Sequence, residues 1–158
     1  MIDFEKRTIK GKSGKIYNIV PEKLSVGRSA EFEIRSTLLG FNMDFQTIWR
    51  KIDEADKLLE EAKNFGAMMD ASFKLKEIKG NLKRWSDNQR PQIIEFCSLF
   101  CLMENEDLSV HDEEVIRQKY DDWANIPVAD FFLLCANVIP GYRSIFLNIA
   151  QATKLLKG

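Results

Sequence analysis

Over the first twenty residues, apolar and polar positions nearly alternate in two short runs, "FEKRTIK" and "KIYNIV", separated by "GKSG". β-Branched and aromatic runs on either side of a glycine-bounded turn predict a β-hairpin. Two strands alone are marginal in water, so this hairpin must pack on the rest of the chain or pair with another molecule. From Pro21 the spacing turns helical. Ser25 is placed to cap a helix over "VGRSAEFEIRSTLLG", whose Ala30, Ile34, Leu38 and Phe41 share one face and which Gly40 should end. A second helix is expected from Asp44 to Asn64, with Phe45, Ile48, Trp49, Ile52, Ala55, Leu59 and Ala62 as its stripe and Asp53 and Lys57 ordered as an i,i+4 pair.

A third helix is expected over Met69 to Asp87, with Phe73, Leu75, Ile78, Leu82 and Trp85 on one side. Pro91 then opens "PQIIEFCSLFCLMEN", apolar almost all round and therefore a buried helix. "ENEDLSVHDEE" reads as a polar connection in which Ser109 and Asp112 make a weak capping box for "DEEVIRQKYDDWA". Pro127 fits the first turn of the next helix, whose run Phe131 to Ile139 stops at Pro140-Gly141. Neighbouring helical residues stand about 100° apart, so of Phe131 and Phe132 one should face the core and the other lie near its edge. A last helix covers "GYRSIFLNIAQATKLLKG". The pattern predicts a mainly α fold, a compact bundle of six or seven helices (residues 21–158) with a small N-terminal β-hairpin (residues 1–20) packed on it.

Composition narrows the function classes. A chain of 158 residues, 45% hydrophobic and 30% charged, belongs with single globular domains. A net charge of -1 disfavours a general nucleic-acid binder, which needs a Lys/Arg excess, although Lys74, Lys76, Lys79, Lys83, Arg84 and Arg90 cluster around Trp85. No run approaches the ~20 apolar residues of a membrane span, and no apolar core follows the basic residues at the start as it would in a secretory signal. Three cysteines, an odd number, suit a reducing compartment, and a cytoplasmic location is expected.

Catalytic and metal chemistry find little support. Cys97 and Cys101, four apart in "FCSLFC", would be half a metal site, but packing cysteines is the better reading for these and for Cys135. The single histidine, His111, sits in an acidic loop without a nucleophile or orienting acid in a local motif, and should be exposed. "ENEDLSVHDEE" has no central glycine and does not match a calcium loop. "GKSGK" lacks the spacing of a phosphate-binding loop and lies between strands instead of opening a helix. No catalytic residue, metal or cofactor is expected.

A charged hairpin, "RTIKGKSGKIYNIVPEKLSV", precedes a helical body, and "WANIPVADFFLLCANVIPGY" stands near its end. In this layout, through Gly14-Lys15, Trp123, Ile126-Pro127, Asp130-Phe131-Phe132 and Pro140-Gly141, the chain resembles the tail assembly chaperones of tailed bacteriophages. The resemblance implies a non-enzymatic protein of the bacterial host cytoplasm. Such a protein binds the apolar, helix-rich tape measure protein, keeps it soluble and helps recruit tail tube subunits. The alternative is a structural virion subunit, a neck, ring or baseplate component, whose hairpin pairs with a neighbour's sheet edge. Either way the expected partner is a phage protein or a second copy of the chain, without a membrane. The last helix is the expected partner site, because Ile145, Phe146, Ile149 and Leu156 fall on one stripe after the Pro140-Gly141 break.

Overall fold

A computed structural model describes residues 1–42, 50–51, 53–54, 57–58, 60–139, 141, 143–144, 146–147 and 150–151. Three N-terminal strands, β1 (Ile2–Asp3), β2 (Thr8–Lys10) and β3 (Ile16–Ile19), run antiparallel in sequence order. The expected hairpin is therefore present as β2 and β3, with Gly14 at φ +86° in its turn, a conformation that suits glycine. It is not a separate unit. A fourth strand, β4 (Cys101–Met103), joins β3 antiparallel, pairing Tyr17 with Met103 and Ile19 with Cys101. The sheet order is β1-β2-β3-β4. Ile9, Tyr17 and Ile19 point inward and are buried, while Lys10 and Asn18 face out, the alternation a half-buried sheet requires.

Four α-helices have their bounds among the described residues: α1 (Val26–Asn42), α2 (Phe65–Ser98), α3 (Glu113–Asp122) and α4 (Val128–Val138). The chain is mainly helical, as expected; among the described residues four helices are bounded, not the six or seven the pattern suggested. Two of those expected helices are one. α2 runs 34 residues and carries Pro91 in its interior, where proline removes a backbone hydrogen bond and costs about 3 kcal/mol. Its continuation buries Ile93, Ile94, Phe96 and Cys97 almost completely, which outweighs that cost. The apolar run beyond Phe100 leaves the helix and becomes β4. The second expected helix, Asp44 to Asn64, and the last, from Gly141, fall partly outside the described residues. Those described within 50–61 and 143–151 are helical, and Asp53 and Lys57 make their i,i+4 ion pair at 2.8 Å.

Local chemistry explains the helix starts. Ser25 Oγ accepts a hydrogen bond from Arg28 N, as expected of a cap. Asp112, not Ser109, caps α3 by accepting from Val115 N at 3.0 Å, and Glu113 and Glu114 place negative charge at its positive end. Asn64 Oδ1 caps α2 through Ala67 N. α1 passes through Gly40 to Asn42.

The core lies between the sheet, the C-terminal half of α2 and α4. Tyr17 meets the fully buried Trp123 edge-on at 5.2 Å, and Trp85 stacks on Phe132 at 5.8 Å. Phe131 and Phe132 are both fully buried, contrary to the expectation that one would lie at an edge. α4 is enclosed on two sides: Phe131 packs on Trp123, and Phe132 lies between Trp85 and Phe146. Among the described residues no helix is long and apolar enough to cross a membrane.

Candidate functional site

Three places in the sequence invite a chemical role, and in each the structure ties the reactive groups to one another. The first is "GKSGK". Its turn lies against the end of α3, where Asp122 accepts hydrogen bonds from Ser13 N and from the Tyr17 hydroxyl, both at 2.7 Å. Lys12 N also donates to the Asp122 carbonyl. The Ser13 amide thus meets an internal carboxylate, and the Lys12 amide a backbone carbonyl, instead of a phosphate. Burial pushes the Asp122 carboxyl up, but the Ser13 and Tyr17 hydrogen bonds prevail and hold it below its ordinary range. Gly11 is required here: a Cβ on it would stand 1.9 Å from Asp122 Oδ2.

The second is the acidic connection "ENEDLSVHDEE", expected to be a polar loop that caps a helix. Its Glu106 is instead the centre of a buried charge cluster. Arg28 and Lys119, side chains 2% exposed, both reach Glu106 Oε1, at 3.1 and 2.7 Å. Arg28 also donates to the carbonyls of Leu99, Asp107, Leu108 and Val110, while Lys119 donates to the Ser98 carbonyl. Two cations therefore close the C-terminal end of α2, where the last carbonyls of a 34-residue helix carry negative character. Desolvation lowers the Lys119 pKa, and Glu106 opposes that.

His111 belongs to the same cluster and is not exposed. Its side chain is 3% accessible, with Nε2 at 2.8 Å from Ser98 Oγ. The Ser98 hydroxyl also stands within hydrogen-bond distance, 2.7 Å, of the Glu95 carbonyl. Burial, then Arg28, lower the His111 pKa, against the pull of Glu31, whose carboxylate lies 3.4 Å from Nδ1. The hydroxyl that faces the ring, Ser98 Oγ, is fully buried.

The cysteines are the third. Cys97 and Cys135 bring their sulfurs to 3.9 Å in the core, while Cys101 lies in β4 and not on the helix face of Cys97. Burial pushes the Cys97 and Cys101 thiols up, which suits packing and disfavours a thiolate. Among the described residues no three His, Cys, Asp or Glu side chains stand close enough to hold a metal ion.

Of the partner residues expected on the last helix, Ile145, Ile149 and Leu156 lie outside the described residues. Phe146 is fully buried, its ring 6.2 Å from that of Phe132, so it is a core residue and not part of a free stripe. Its helical position beside α4 draws the ring into the cluster that Trp85 and Phe132 begin.

The free apolar surface is elsewhere. At the start of α2, Phe65, Met68, Met69 and Phe73 are 80%, 58%, 46% and 67% exposed. A groove of about 440 Å³ runs beside them, lined by Ala62, Phe65, Met68, Met69 and Leu75. On α1 the predicted apolar face is turned outward too: Ile34 and Leu38 are exposed, while Arg28, Phe32 and Leu39 face the body. Beyond the α2 patch, Lys74, Lys76, Lys79, Lys83 and Arg84 are exposed. Arg90, counted with them on sequence, turns inward and donates to the carbonyls of Trp123 and Ile126. The signal for the patch was present as Phe65, Met69 and Phe73 at intervals of four, but such a stripe is the usual mark of a core face.

No family model matches the chain, and neither a curated protein nor a solved structure matches it.

Proposed function

We propose that this protein is a non-enzymatic binding protein that holds an apolar helical segment of another protein. In the form its sequence resemblance suggests, it is a bacteriophage tail assembly chaperone with the tape measure protein as client. One observation carries the reading: four large apolar side chains stand exposed within the first nine residues of α2, on a helix whose other end is fully engaged in the core. Exposed, contiguous apolar side chains mark protein-binding surfaces, and methionine supplies the adaptable contact that a client helix needs.

The virion-subunit alternative asks the hairpin to pair with a neighbouring sheet. β2 and β3 have their outer edges occupied by β1 and β4, strands of two and three residues, so little edge remains to extend. The chaperone reading is the better supported of the two.

The test is suppression of aggregation, followed by light scattering, of a purified coiled-coil fragment of a tailed-phage tape measure protein. The native protein should suppress scattering at stoichiometric ratio, and a Phe65→Ser/Met69→Ser variant with unchanged circular dichroism should not. Equal suppression by the variant, or none by the native protein, overturns the proposal.

A further inference from the structure

The apolar patch does not end where α2 meets the core; it changes chemistry. Phe65, Met69 and Phe73 repeat every four residues, and Lys76, Lys79 and Lys83 continue the row at intervals of three and four. All six are exposed. At 1.5 Å per residue the row is roughly 27 Å long, apolar over its first half and basic over its second. The acids of the same stretch, Asp70 and Glu77, lie roughly a third of a turn round the helix, and Asp87 follows Lys83 at the end of the row. Among the described residues none of the three lysines has a carboxylate at ion-pair distance, whereas Arg35, Lys57 and Arg117 each find one. Three unpaired cations in line within about a Debye length of one another make a local positive field on a chain whose net charge is -1.

We infer that the partner of this surface is an amphipathic α-helix whose apolar stripe is followed by acidic side chains. Such a helix lies along α2, its apolar residues on Phe65, Met68, Met69 and Phe73, its carboxylates on Lys76, Lys79 and Lys83. The apolar half supplies affinity; the lysines set direction and select against basic helices, through attraction on one side and like-charge repulsion on the other. A second copy of this chain offering the same stripe in parallel would set lysine against lysine, and an antiparallel copy would leave the lysines without a counter-charge, so the charge pattern favours a different protein. A protein helix also fits better than a nucleic acid or an anionic membrane, because the groove beside Met68 and Met69, about 440 Å³ in volume, is lined mostly by apolar side chains. The inference rests on the client-binding reading and adds to it the charge of the client.

The test uses two synthetic amphipathic peptides with the same leucine stripe, one flanked by glutamates and one by lysines, titrated onto the full chain by fluorescence anisotropy. Three exposed charge pairs should favour the glutamate peptide by roughly tenfold, a preference that shrinks at high salt. Lys76→Glu/Lys79→Glu/Lys83→Glu should invert the preference, and the Lys→Gln triple should abolish it, with circular dichroism checking that both stay folded. If both peptides bind alike, or the reversed variant keeps the native preference, the acidic-partner inference is wrong while the client-binding reading stands. Binding of neither peptide overturns the inference. If the native chain also fails to suppress aggregation, the client-binding reading falls as well. In that case, binding of phosphatidylserine vesicles or a single-stranded oligonucleotide through the same lysines would name the true partner.

Discussion

Phe65, Met69 and Phe73 repeat every four residues on α2, and further along the same helix Ile93 and Cys97 keep that interval; yet the first group faces solvent and the second is fully buried. The difference lies in what surrounds each end. Around Ile93 and Cys97 stand β4, α3 and α4, and the final carbonyls of the helix are taken by Arg28 and Lys119. Around Phe65 the side chain of Asn64 caps the first turn and the apolar side chains stand exposed. One helix therefore serves as a core element at its C-terminal end and as a display surface at its N-terminal end. Periodicity alone says that a face is apolar; neighbours decide whether it is covered.

Substitutions at the two ends should separate accordingly. The largest effect is expected from Glu106→Gln, which leaves Arg28 and Lys119 buried without their counter-charge. Removing one partner of a buried ion pair costs about 3 to 5 kcal/mol, so the urea midpoint should fall steeply. A loss below about 1 kcal/mol would mean that water reaches the cluster and that the closed end is not closed. Next comes Gly11→Ala, which drives a methyl group into the Asp122 carboxylate and should cost about 1 to 3 kcal/mol, read from the same unfolding curve. Asp122→Asn in the same chain should recover little, because Tyr17 and Ser13 still hold the side chain in place.

Acidification probes the closed end more gently. His111 has a lowered pKa in the folded protein, with burial as the main cause. The unfolded chain takes up a proton at the ordinary histidine value of ~6.5, and the folded chain only at lower pH. Stability from this group is thus complete above ~6.5 and declines as the pH falls through that value towards the folded pKa. Melting temperatures at pH 7.5 and 5.5 should differ more in the native protein than in His111→Gln; an equal difference would exclude the ring. The smallest change is expected at the open end. Phe65→Ser should stay within about 0.5 kcal/mol of native stability, because the residue remains 80% exposed, and Met69→Ser, at a site 46% exposed, should cost only slightly more. A larger loss would show that the patch is covered in solution.

Much of this fold was legible before the structure. The hairpin, the Ser25 cap, the acidic first turn of α3 and the stop of α4 before Pro140-Gly141 follow from local chemistry, which acts within a few residues. What escaped depends on contacts remote in sequence. Pro91 reads as a helix start, and only the burial of Ile93 to Cys97 shows why the helix runs through it. Cys101 to Met103 is a short apolar run that periodicity cannot assign, and its strand partner, β3, lies far away in the chain. Arg28, Glu106 and Lys119 look like solvated charges because each lacks its partners locally. The α2 patch escaped for the converse reason: its pattern is that of a core face, and exposure is not written in periodicity.

The join between the first strands and Asp122 also has a consequence for how the chain is made. Ser13 and the carboxylate that holds it are 109 residues apart, so at typical synthesis rates of 5–20 residues per second the turn waits roughly 5 to 20 s for its anchor. β4 reaches the ribosome exit only somewhat sooner. Until β4 emerges, the side of β3 that will pair with it is an open strand edge, and Tyr17 and Ile19 lack their cover. Lys10, Lys12 and Lys15 surround this nascent hairpin, and lysines on an exposed edge discourage a passing strand from another chain. The same charges that line the finished turn thus act as gatekeepers while the protein is still incomplete.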